Sequence, residues 1–213
     1  MTDAPGANYT FELVRDWYAR QETDYEPVFV RGMYFPINWK SKIGNSDANS
    51  NFKTNLRVAI RKGDIVIRED GMIYMLNWKV QRHPNNQSTQ AVDCNAYIRF
   101  IRDVDEVLDG QGYLVEPARE KEIASEIPCL YADYAGRPDY ATAFNTPGIV
   151  PNHLLTVQVQ LNPWTKGIRI NDRFRLMGYG YHVIHLMHNE VDINGQYGII
   201  NIVARKTAGE EES

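Results

Sequence analysis

Lys62-Gly63-Asp64-Ile65-Val66-Ile67-Arg68, then Glu69-Asp70-Gly71, then Ile73-Tyr74-Met75-Leu76: this stretch decides the fold, because the chain contains it twice. The second copy reads Ile170-Asn171-Asp172-Arg173-Phe174-Arg175-Leu176, a turn around Gly178, and then Tyr181-His182-Val183. Gly-Asp or Asn-Asp ahead of a short apolar run marks a tight turn feeding a strand, and the Gly-containing break marks a hairpin return. Asp64 and Asp172 lie 108 residues apart and Tyr74 and Tyr181 lie 107 apart, so the two hairpins differ by one residue. We therefore expect Asp64 and Asp172 to hold equivalent places before equivalent hairpins.

Working outward, each hairpin is expected to belong to a larger matched unit, since one hairpin is not stable alone. Upstream, each half opens on proline and an apolar strand, Pro27-Val28-Phe29-Val30 and Pro128-Cys129-Leu130-Tyr131. A long polar loop follows, and then an alternating strand: Leu56, Val58 and Ile60 in the first half, Leu155, Val157, Val159 and Leu161 in the second. Met72 to Val80 and Val92 to Phe100 alternate in the same way. The closing strands are read as Ala96-Tyr97-Ile98-Arg99 and Ile200 to Arg205. Features matched in the same order point to an internal repeat.

Two segments read differently. Thr10 to Gln21 is predicted to be a helix capped by Thr10, with Phe11, Val14 and Tyr18 at helical spacing and Leu13 and Trp17 beside them. Its wide aromatic stripe suits either packing on its own chain or docking on a neighbour. DVDEVLDG and EPAREKEIASE, between Asp103 and Glu126, are charged and rich in helix formers, with Pro117 where a first helical turn accepts it. The expected fold is mostly β: two tandem small antiparallel β-barrel or sandwich units with an N-terminal helix and a partly helical connector. The expected divisions are an arm at 1–24, units at 25–103 and 127–206, a connector at 104–126 and a mobile tail at 207–213.

The 213 residues are 43% hydrophobic and 23% charged, as in ordinary globular chains, with 13 Tyr and 4 Trp that favour strands and contact surfaces. A net charge of −4 argues against a general nucleic-acid binder. No apolar run reaches the length of a membrane span, and the N-terminus lacks the basic and apolar parts of a signal peptide. Cys94 and Cys129, the two cysteines, have no CxxC spacing and read as buried free thiols. In a chain that is not secreted, the glycosylation-like triplets at Asn8 and Asn86 are chance matches.

Motifs for chemistry are sparse. His182, His185 and His188 would share a face only on a helix, and their surroundings read as a strand, so no metal site is expected. Asp192-Ile193-Asn194-Gly195 matches only the start of a calcium loop and reads as a turn. Gly178-Tyr179-Gly180 lacks the strand–helix setting of a nucleotide loop, and there is no Gly-x-Ser-x-Gly. Neither enzymatic activity nor a cofactor is expected. Long polar loops at 40–54 and 133–152 are the better functional candidates, through Lys40, Lys42, Asn45, Asp47 and Lys53 in the first. Asp133, Arg137, Asp139, Tyr140 and Phe144 stand in the second.

The repeated pattern [Gly/Asn]-Asp-x-[Val/Phe]-x-x-x-x-Gly-x-x-Tyr-x-[Val/Leu] resembles the head-closure, or head–tail connector, proteins of tailed bacteriophages. The resemblance covers about 63–101 and 170–205, here as a tandem pair where the family subunit has one barrel. It implies a virion protein assembled in the host cytoplasm, forming a homo-oligomeric ring that closes the DNA exit and joins the portal or an adaptor protein to tail proteins. Transient contact with packaged DNA follows from that position, and no membrane is involved. Phe11, Trp17 and Tyr18 are then candidate interface anchors, and the two long loops face the lumen or grip a neighbour. The alternatives are another tail or baseplate component, or a carbohydrate-binding β-module using Trp39, Trp78 or Trp164.

Overall fold

A computed structural model describes residues 8–36, 49–133 and 154–207. Its first sheet holds β1 (Asn8–Val14), β2 (Val28–Pro36), β3 (Asn49–Thr54), β4 (Ile65–Arg68), β5 (Ile73–Leu76) and β7 (Gln87–Asp93) in the order β3-β2-β1-β4-β5-β7. Pairing of β3 with β7 closes this sheet into a barrel, and the two-residue β6 (Gln81–Arg82) hangs on β7. A second closed barrel runs β11-β12-β15-β14-β13-β8, from β8 (Ala96–Val104), β11 (Arg119–Asp133), β12 (Leu154–Gln160), β13 (Arg173–Leu176), β14 (Tyr179–Val191) and β15 (Gly198–Lys206). Both barrels are antiparallel throughout.

The two barrels share one topology. Taking β1, β2, β3, β4, β5 and β7 against β8, β11, β12, β13, β14 and β15, every neighbour relation in the first recurs in the second. Register agrees as well. Val66 faces Tyr74 across β4–β5, and Phe174, 108 residues on, faces Tyr181. Leu13 faces Val66 as Phe100 faces Phe174, and Phe11 faces Val30 as Ile98 faces Ile127.

The repeat is framed differently from the sequence reading. Thr10 to Val14 is strand, not helix. Phe11 and Leu13 turn into the first core while Thr10 and Glu12 are less buried, a period of two. Aromatic and β-branched residues there gain hydrogen-bonded partners on both sides, β2 and β4, which a lone helix turn would lack. Among the described residues of this segment the helical turn is α1 (Trp17–Arg20), capped by the Asp16 carboxylate rather than by Thr10. The alternating run from Val92 to Phe100 is two strands, split at Cys94 and Asn95, where the chain passes from one barrel to the other. Ala96 to Arg99 therefore opens the second barrel instead of closing the first; the counterpart of β15 is β7. Leu56 to Ile60 is not a strand either. The Gln87 side chain bonds the Asn55 and Val58 carbonyls and the Ile60 amide, satisfying backbone that no ladder reaches.

The expected helical connector is also strand. Beyond the barrel, β8 and β11 stay paired from Ile101–Glu122 out to Val104–Arg119, and a small hairpin of β9 (Val107–Leu108) and β10 (Leu114–Glu116) continues outward. Pro117 lies between β10 and β11. Helix-forming charges are satisfied across strands: Arg173 bonds both Asp103 and Glu120, and Arg99 bonds Glu122 at 2.6 Å.

The barrels meet in a packed junction. Val14, Trp17 and Ile65 of the first half belong to the same buried cluster as the second barrel's core. Gln160, 1% exposed, accepts from the Trp17 amide at 2.7 Å and donates to the Val14 and Gly63 carbonyls at 3.1 and 2.9 Å. Lys62 pairs with Glu190 at 2.9 Å, and the Arg61 guanidinium lies over the Tyr197 ring. Gln160→Leu removes the side-chain partner of the Trp17 amide and of the Val14 and Gly63 carbonyls and is expected to cost about 2 kcal/mol. Urea denaturation checks this, and a change below about 0.5 kcal/mol, the scale of an ordinary surface substitution, would show that Gln160 does not tie the halves together.

Candidate functional site

The repeated turn is the most constructed polar feature. In the first barrel Asp64 sits 2% exposed, its carboxylate accepting from the Arg61 amide at 2.8 Å. The Leu76 amide donates to the Asp64 carbonyl, and the Gly63 amide to the Leu76 carbonyl. The second barrel repeats this bond for bond: Arg169 amide to the Asp172 carboxylate, Val183 amide to the Asp172 carbonyl, Asn171 amide to the Val183 carbonyl. Gly63 and Asn171 both hold positive φ, +90 and +74°, which explains Gly or Asn at that place.

An arginine completes the site, and sequence reading missed it. Arg102 grips Asp172 through two bonds of 2.7 and 2.8 Å and the Gly167 carbonyl through a third. The register places Arg15 at the equivalent position on the first barrel, and it reaches the equivalent carbonyl, Ala59, at 3.0 Å. It does not close on Asp64. Burial accordingly pushes the Asp64 carboxyl up to about 7, against the smaller opposing pulls of the Arg61 amide, Arg15 and Arg61. A spacing of 87 residues between arginines was the available signal; it was obscured because β1 was read as helix.

The proposed interface anchors are placed inside the chain. Phe11 is fully buried against Phe52, and Trp17 is 3% exposed with its indole N–H donating to the Glu126 carbonyl at 3.0 Å. Tyr18 is half-buried, edge-on to Trp164 at 4.9 Å. Within the chain this segment packs on the second barrel through Trp17 and Tyr18, the first of the two roles its aromatic stripe suits. Lys53 is half-buried on β3, opposite Met33 and Ser88. Asp133 ends β11 opposite Leu155. Lys40, Lys42, Asn45, Asp47, Arg137, Asp139, Tyr140, Phe144 and Trp39 lie outside the described residues, as does the tail beyond Thr207. Residues 49–54 of the first expected loop are the strand β3, which pairs with β2 and β7. The undescribed stretches 37–48 and 134–153 fall between equivalent strands, β2 and β3 in one barrel and β11 and β12 in the other.

His182, His185 and His188 stand on β14, the first half-buried and the others exposed. No group of three or more metal-binding side chains occurs among the described residues. The Asp192 carboxylate is engaged by the amides of Asn194, Gln196 and Tyr197, which tie the β14–β15 turn and hold its pKa below the usual range. Cys129 is buried and Cys94 half-buried, both free, with burial pushing the Cys129 thiol up to about 12. Among the described residues, no helix is long and apolar enough to cross a membrane.

Among the described residues, two further surfaces stand out. Trp78, 55% exposed, borders a depression of about 80 Å³ with Asn51, Gln81, Thr89 and Gln90. That is well under the roughly 300 Å³ of a small-molecule site. The other is the hairpin from Asp103 to Glu122, where Val107, Leu108, Tyr113, Leu114 and Val115 are all exposed. Its tip is ordered by Asp109, whose carboxylate accepts from the Gln111 and Tyr113 amides at 2.8 Å each. No family model, curated protein or solved structure matches the chain.

Proposed function

We propose that this chain is a structural virion protein of a tailed phage, forming a ring at the head–tail junction that closes the DNA exit and links portal to tail. The observation that carries the reading is the [Gly/Asn]-Asp hairpin barrel, present twice with the same register and locked by Gln160 into one body. A closed barrel has no open sheet edge to recruit strands at random, so assembly is left to loops and projections. At −4 per subunit a ring is net acidic, which disfavours general adhesion to DNA phosphates.

The test is particle assembly. Mass spectrometry of purified virions is expected to find the chain in ring stoichiometry. Deleting its gene is expected to give filled heads that lose DNA and carry no tails. Normally tailed, stable particles without the chain would overturn the reading. Exposed Trp78 with its amide and hydroxyl neighbours favours a second reading, stacking of a sugar ring on the indole. Quenching of tryptophan fluorescence by glycans, abolished in Trp78→Ala, would select it.

A further inference from the structure

Between Asp103 and Glu122 seven carboxylates stand against two cations, Arg119 and Lys121, a net −5 within a chain of net −4. The rest of the molecule is thus weakly positive, and its acidity is concentrated in one projection. From the Arg173 clamp on Asp103 and Glu120 the hairpin extends roughly 25 Å at 3.3 Å per residue. Residues 105–122 are all exposed, so neither barrel of the same chain covers its apolar side chains. An isolated two-stranded hairpin is marginal in water, and five large apolar residues on one mark a contact surface.

The internal repeat indicates what covers it. The hairpin connects β8 to β11; its counterpart, connecting β1 to β2, is the segment bearing α1. That segment does not project but lies on the second barrel, with Trp17 on the Glu126 carbonyl and Gln160, and Tyr18 on Trp164. Register carries this seat onto the first barrel: Glu126 corresponds to Phe29, Gln160 to Asn55, Leu161 to Leu56 and Asn162 to Arg57. Leu161 and Asn162 are buried at 4 and 3%, whereas their counterparts Leu56, 46% exposed, and Arg57 are both exposed; Phe29 is 62% exposed, and its counterpart Glu126 is exposed as well. Arg57 and the neighbouring Arg31 are exposed cations. Among the described residues, then, the first barrel has an uncovered apolar and basic seat, and the second an unseated apolar and acidic projection.

We propose that the Asp103–Glu122 hairpin of one copy docks on the Phe29, Leu56 and Arg57 surface of the first barrel of the next copy. The contact repeats between chains the packing that joins the two barrels within a chain. It is head-to-tail, with different surfaces on the two partners, and so builds rings or filaments rather than two-fold dimers. The inference rests on the ring reading only for closure.

Full-length Val115→Cys and Leu56→Cys variants, joined by a short bismaleimide, test the contact against a wild-type control carrying only Cys94 and Cys129. Mixed single variants are expected to give a cross-linked dimer, and the double variant a ladder of multimers. Leu108→Ser with Leu114→Ser, outside both cores, is expected to leave thermal unfolding unchanged and reduce self-association at least tenfold by sedimentation. Raising salt should weaken wild-type association. Equal cross-linking of Val115→Cys with itself, or no product above the control at concentrations where the chain associates or in assembled particles, overturns the contact. Rings without the cross-link sink the hairpin contact alone; the cross-link in open filaments sinks the ring reading alone.

Discussion

Gly63→Ala is expected to destabilise the chain by about 4 kcal/mol, whereas Gly71→Ala, at nearly the same dihedral, is expected to cost about 1 kcal/mol. The two glycines have φ of +90 and +86°, so both would strain an L side chain. They differ in surroundings. A Cβ on Gly71 meets nothing within 4 Å, while one on Gly63 would lie 2.2 Å from the Gly198 carbonyl oxygen, a backbone atom of the other barrel. That carbonyl also accepts from the Leu161 amide at 3.0 Å, and the Gly63 carbonyl accepts from Gln160. Relieving the clash means prising the barrels apart and losing both bonds. Urea denaturation of the two variants separates strain from collision, and equal losses would show that the junction yields freely.

Asp172→Asn is expected to cost about 3 kcal/mol at neutral pH, and Asp64→Asn to stabilise on the order of 3 kcal/mol at pH 8. Asp172, 1% exposed, neutralises Arg102, so its amide leaves a partly buried guanidinium without a counter-charge. Asp64 holds the same place with no such clamp, and burial raises its carboxyl from 3.8 to about 7. An acid whose pKa rises on folding contributes stability that is full below its unfolded value. That contribution declines as pH climbs from 4 to 7 and is gone above. The amide can still accept from the Arg61 amide without the charge. Denaturant midpoints at pH 5 and 8 decide: an equal pH difference in wild type and Asp64→Asn would mean Asp64 is not the source.

The hairpins were legible because their signals are local. The Asp64 and Asp172 carboxylates bond amides three residues back, and Tyr74 and Tyr181 fall where the alternation places them. What escaped the sequence was decided at a distance. Phe11, Leu13 and Val14 fit either period in so short a window, and pairing with β2 and β4 selects the strand. The break at Cys94 and Asn95 leaves the alternation intact; it shows only in partners, Ile73 for the Cys94 amide and Cys129 for the Asn95 amide. Glu120 and Lys121 read as helix formers until Arg173, more than fifty residues away, meets one of them. The burial of Phe11 and Trp17 within one chain was hidden for the same reason: aromatic content marks burial, and only the fold says what provides it.

The repeat also bears on symmetry. In the proposed ring, n copies contribute 2n barrels of one topology in two alternating kinds. A layer of n subunits and a layer of 2n subunits could then both find a regularly spaced footing on it. Mismatched rotational orders would be reconciled by covalent pairing inside each chain, without distorting either neighbour.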